Sequence, residues 1–66
     1  MKFQSDRLRG RIVEKGLSQT KVAVMLDITA KTFYVKIKTG SFYAYELVRM
    51  AEILEIANPW EFYFKE

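Results

Sequence analysis

QTKVAVMLDITAKTFYVKI, residues 19–37, is the stretch whose reading decides the fold. It reads as two short helices around a tight turn. Ser18 caps the first, and Leu17 stands at the hydrophobic-staple spacing from Val22. That helix is predicted over Gln19 to about Leu26, where Asp27 breaks it, because aspartate tolerates turn and left-handed backbone. The second is predicted to start after the N-cap Thr29 and to reach about Thr39, before Gly40. With Phe33 inward, a rotation of about 100° per residue puts Ile37 and Ala30 on its side. Lys31, Tyr34, Val35 and Lys38 then share the outer side within about 100° of arc. Ala23 is small where the helices must approach, and Val22, Leu26, Ile28 and Phe33 fill the wedge between them. Such a wedge holds the second helix at a fixed angle with its outer face projecting, and a projecting helix fits the B-DNA major groove, about 12 Å wide.

Three further helices flank this pair. The first is predicted over Asp6–Lys15, with Ser5 as its cap, Asp6 at the positive end of its dipole and Gly16 as a left-handed terminator. Leu8, Ile12 and Val13 supply its apolar side, and Gly10 is either a close-packing site or simply tolerated. The fourth helix covers roughly Tyr45–Glu55, with Leu47, Met50, Ala51 and Leu54 inward and Arg49 and Glu52 outward. Asn58, Pro59 and a back-reaching Glu61 open a short last helix ending near Phe64. Phe42–Tyr45 is β-prone but too short to demand a sheet. The expected architecture is all-α, five short helices in a single domain over residues 1–66.

Composition narrows the function. The chain has no cysteine and no histidine, so disulfides and a Cys/His zinc site are excluded. There is no glycine-rich phosphate loop and no metal-ligand cluster, so no enzyme, no cofactor and no small-molecule substrate is expected. No apolar run is long enough to span a membrane and no signal-peptide pattern opens the chain, so a cytoplasmic location away from membranes is expected. Residues 1–40 hold nine basic against three acidic side chains, and residues 41–66 two basic against five acidic. A chain with one basic and one acidic half suits a protein that presents one end to a polyanion.

RLRGRIVEKGLSQTKVAVMLDITAKTF (residues 7–33) resembles the first three helices of Cro/repressor-type helix-turn-helix proteins, the lambda-repressor-like fold of small phage or prophage repressors. ELVRMAEILEIANPWEFYF (residues 46–64) resembles their fourth and fifth helices. The resemblance implies a sequence-specific duplex-DNA-binding transcriptional regulator. It implies that Thr29, Ala30, Lys31, Tyr34 and Val35 face the bases, and that Gln19, opening the motif, touches a phosphate. Ser18, Lys21, Lys36, Lys38 and Ser41, with the backbone amides around Gly40, would fix register on phosphates. Lys31 suits guanine O6 or N7, and Ala30 or Val35 a thymine methyl.

The chain departs from the family pattern at three places. Asp27 stands where glycine is preferred, Tyr43 where a capping threonine or serine is usual, and Val24 and Met25 where charged residues are usual. Val24, Met25, Tyr43 and Tyr45 are therefore expected to leave apolar surface suited to a protein contact. Trp60 and Phe64 are expected to close the core, with Phe62 or Tyr63 as the candidate dimer contact. The expected binding form is a two-fold homodimer on paired half-sites. The alternative is an interaction module on the same fold that binds a repressor-type protein.

Overall fold

The computed structural model describes residues 1–66 and contains five helices. They are α1 (Ser5–Glu14), α2 (Gln19–Met25), α3 (Ala30–Thr39), α4 (Ala44–Ile53) and α5 (Pro59–Tyr63). Their apolar stripes meet in one core of Leu8, Ile12, Val22, Ala23, Phe33, Ile37, Leu47, Met50, Leu54 and Tyr63. The periodicity that predicted the inner faces of α1 to α4 thus assigns nine of these ten side chains correctly, whereas Val13, expected on the apolar side of α1, is exposed.

The all-α expectation needs one correction. Lys2–Phe3 (β1) and Phe64–Lys65 (β2) form a small antiparallel ladder, with Lys2 opposite Lys65 and Phe3 opposite Phe64. It exists because α1 packs on α5 and so brings the chain ends together. The Gln4 N–H extends the ladder by donating to the Tyr63 carbonyl at 2.6 Å, and Gln4 Nε2 donates to the Phe62 carbonyl at 3.0 Å. Two-residue strands carry no period-two signal, so only the tertiary fold creates them.

Helix starts hold a second set of corrections. Ser5 is the first residue of α1, not its cap, and Gln4 occupies the cap position without a side-chain bond. The Ser5 hydroxyl donates instead to the Ile37 carbonyl, tying α1 to the end of α3. Asn58 sits at the N-cap of α5 but makes no cap bond, so α5 starts on Pro59 alone. Gly10 has nothing within 4 Å of where a Cβ would stand, which makes it a tolerated glycine and not a packing site.

The aromatic tail differs most from expectation. Tyr63, a candidate dimer contact, is wholly buried, and its hydroxyl donates to the Leu47 carbonyl at 2.7 Å. Burial removes its water and pushes its phenol well above the ordinary range. Trp60, expected in the core, is half exposed, and Phe64 is half-buried on β2. α5 ends at Tyr63 and Phe64 belongs to β2, so Trp60 and Phe64 do not share a helix face: Tyr63 faces inward, and Trp60 lies on the rim with its ring centroid 6.2 Å from that of Tyr63.

Arg11 joins α1 to the end of α4. Its guanidinium donates to the Leu54 carbonyl (2.9 Å), the Glu55 carbonyl (3.0 Å) and Glu14 Oε1 (2.7 Å). Those carbonyls have no partner within the helix, so a cation is favoured there. Lys15 pairs with the Glu55 carboxylate beside them and lowers its pKa. No helix is long and apolar enough to cross a membrane.

Candidate nucleic-acid interface

α3 is built to stand outward. The Thr29 hydroxyl accepts the Thr32 N–H at 3.1 Å, which starts the helix, and Gly40 ends it at φ +73°. Phe33 and Ile37 are buried on its inner side. Gly40 is required for two reasons: its backbone is left-handed, and a Cβ there would stand 2.7 Å from the Cβ of Phe3.

The turn before α3 sets its direction relative to α2. Asp27 adopts φ +60°, and the Ile28 N–H reaches back to the Ala23 carbonyl at 3.0 Å. Val22 and Ala23 are fully buried where α2 meets α3. A larger side chain than alanine at position 23 would force the helices apart. The left-handed turn therefore forms with aspartate in place of glycine, at the cost of an exposed carboxylate.

Lys31, Tyr34, Val35 and Lys38 are all exposed on the outer face of α3, as the helical wheel predicts. Thr29 is exposed and Ala30 half-buried at the first turn. On α2, the Ser18 hydroxyl accepts the Lys21 N–H at 3.0 Å, Gln19 is half-buried and Lys21 is exposed. The Tyr34 hydroxyl lies 3.5 Å from Thr20 Oγ1, which leans its ring toward the start of α2.

Five cations are paired with carboxylates of the protein. Arg9 pairs with Asp6, Arg11 with Glu14, Lys15 with Glu55, Lys36 with Glu46 and Arg49 with Glu52. Lys21, Lys31 and Lys38 have no ion-pair partner, and neither do Lys2, Arg7 and Lys65 near the chain ends. Neither α2 nor α3 contains an acidic residue.

Two expected phosphate contacts are overturned. Lys36 does not project outward: its ammonium reaches Glu46 Oε1 at 2.7 Å and Oε2 at 2.8 Å, and its side chain is only 14% exposed. The amides at Gly40 and Ser41 are also occupied, both donating to the Lys36 carbonyl, at 2.7 and 3.2 Å. The Ser41 hydroxyl remains at the surface, 2.7 Å from Thr39 Oγ1. Lys31, Thr32, Val35, Lys36, Ser41 and Tyr43 line a shallow depression of about 590 Å³ along this flank of α3.

The expected apolar surface is present in part. Val24, Met25, Tyr43 and Tyr45 are exposed, and the Tyr43 and Tyr45 rings stack at 5.7 Å with 9° between their planes. Phe62 does not belong with them, because it is half-buried and the Arg7 guanidinium lies 4.4 Å from its ring centroid. No group of three or more acidic, histidine or cysteine side chains gathers as a metal site.

Glu46 is the residue that sequence reasoning missed. It is buried in the first turn of α4 and accepts the Tyr43 N–H at 2.9 Å as well as the Lys36 ammonium. A signal did exist. At about 100° per residue, Lys36 lies about 150° from the centre of the outer face of α3, too far round to share it. No protein-family model, curated protein or solved structure matches the chain.

Proposed function

We propose that this protein binds duplex DNA through the outer face of α3 as a helix-turn-helix transcriptional regulator of the Cro/repressor type. The observation that carries the reading is the pairing pattern. Arg9, Arg11, Lys15, Lys36 and Arg49 pair with carboxylates of the protein, whereas Lys21, Lys31 and Lys38 are unpaired and gathered on α2 and α3, helices without carboxylates. In a major groove, Lys31 donates to guanine O6 or N7, Val35 packs on a thymine methyl, and Thr29 and Tyr34 reach neighbouring edges or the backbone. Lys21 and Lys38, with Ser18 and Gln19 at the start of α2, hold phosphates and set register. A second copy on a half-site one helical turn away, about 34 Å, doubles these contacts.

The test is quantitative. Lys21 and Lys38 neutralise two phosphates, so log K falls with log salt at a slope of about −1.8 per protomer, at about 0.9 per phosphate. Fluorescence anisotropy on random-sequence duplex across about 50–200 mM salt measures it, and bound-site selection then identifies the operator. Absence of duplex binding at the low-salt end removes the reading.

A second reading is favoured by one observation: exposed Val24, Met25 and the stacked Tyr43–Tyr45 pair give the protein apolar surface that DNA contact does not require. On this reading the same fold docks a repressor-type protein. Loss of partner binding in Val24→Lys, with duplex binding kept, would identify that surface as the protein contact.

A further inference from the structure

Lys36 acts at both of its ends. Its carbonyl accepts the Gly40 and Ser41 amides and so closes α3. Its ammonium grips both oxygens of Glu46, whose carboxylate also accepts the Tyr43 amide that opens α4. One residue pair therefore ties down both sides of the corner between the two helices. The same ammonium lies 4.3 Å from the centroid of the Tyr43 ring, against which Tyr45 is stacked.

Beyond the core that Phe33 and Ile37 share with Leu47 and Met50, the two helices do not run closely side by side. α3 packs chiefly on α2, and α4 on α5. Both charges of the pair are withdrawn from water, Glu46 to 1% exposure and Lys36 to 14%. No buried polar side-chain atom is left without a partner. An ion pair this buried gains little net stability over apolar side chains of like volume, because desolvation offsets attraction. What it does impose is one arrangement, since both oxygens and the ammonium are satisfied only there.

We propose that Lys36 and Glu46 are positioning residues for the DNA interface, setting the angle at which α3 is presented and placing Tyr43 and Tyr45 beside it. The inference rests on the duplex-binding reading above. It assigns the pair to discrimination between DNA sequences, not to general attraction for phosphate. A groove-bound helix reads base edges only at the right tilt, whereas free lysines hold phosphates over a wider range of poses.

The test is the double variant Lys36→Met with Glu46→Leu, compared with the parent on the selected operator and on random-sequence duplex. The variant is expected to unfold cooperatively. Its preference for the operator should fall about tenfold, the lower range for losing one good base contact. Its salt slope should not change, because neither residue reaches a phosphate. An unchanged operator preference overturns the proposal. So does a uniform loss on all duplexes with the slope reduced by about 0.9, which would make Lys36 a phosphate ligand. Should the double variant not fold, Glu46→Gln keeps the shape and weakens the pair, and the same two readouts decide. A parent that binds no duplex refutes the function itself, whereas a binding parent with an indifferent variant refutes only the positioning role.

Discussion

The two sides of this small protein treat charge in opposite ways. On the α1–α4–α5 side, Arg11 spreads over three oxygens and Lys15 meets Glu55, so that cations close helix ends and join elements. On the α2–α3 side, Lys21, Lys31 and Lys38 touch no carboxylate. The first side uses ion pairs to close helix ends and join elements, whereas on the second every cation but Lys36 is left unpaired. Net charge alone, +3 over the chain, conceals this division.

Substitutions can break or sharpen the contrast. The largest effect is expected where the two sides meet. Phe33→Ala empties a fully buried ring position shared by the core and by α3, and should cost about 3–5 kcal/mol. Urea titration would then show the domain largely unfolded, with α3 lost along with the core.

Tyr63→Phe acts on the structural side alone. It removes the hydroxyl that donates to the Leu47 carbonyl and should cost about 0.5–1.5 kcal/mol by denaturant midpoint, with the salt slope of DNA binding unaltered. It also alters the alkaline limb. The folded phenol has a raised pKa, so its contribution is complete below the ordinary value of 10.0 and declines as pH rises beyond it, because the unfolded chain ionises first. Melting in the parent should therefore weaken above pH 10.0, and the phenylalanine variant should lose that part of the dependence.

Substitutions on the free-charge side should leave stability nearly intact. Lys31→Ala is expected to relax preference at one base position by about 1–3 kcal/mol. Lys21→Ala should weaken all duplexes alike and reduce the salt slope by about 0.9. Parallel binding curves on operator and random duplex separate the two behaviours.

The smallest effect is expected at Glu55. Lys15, by hydrogen bond and charge, lowers its pKa below 4.5, so the pair helps folding above that value and stops helping as pH falls through the folded pKa. Glu55→Gln should flatten the acid side of the melting profile slightly and leave neutral-pH binding alone, because the carboxylate is exposed.

Much of this division was legible in the sequence. The wedge of Val22, Ala23 and Phe33 and the outward set of Lys31, Tyr34, Val35 and Lys38 follow from helical periodicity, a local property. The left-handed turn at Asp27 was also readable, because aspartate accepts it. What escaped depends on residues far apart in the chain. The ladder of Phe3 with Phe64 forms only when the ends meet. Lys36 reads as one more helix lysine until Glu46 is seen buried beneath it. Tyr63 and Trp60 exchange places because a five-residue helix offers too little periodicity to tell its inner side from its outer.

Chemical-shift mapping of the whole chain during titration with duplex DNA at low salt tests the central claim most directly. The account predicts that the perturbed amides concentrate in Thr29–Lys38 and at Lys21, while those of Tyr63 and the Lys2–Phe3 ladder stay unmoved. Perturbations confined to α4 and α5, or none at saturating duplex, would contradict it.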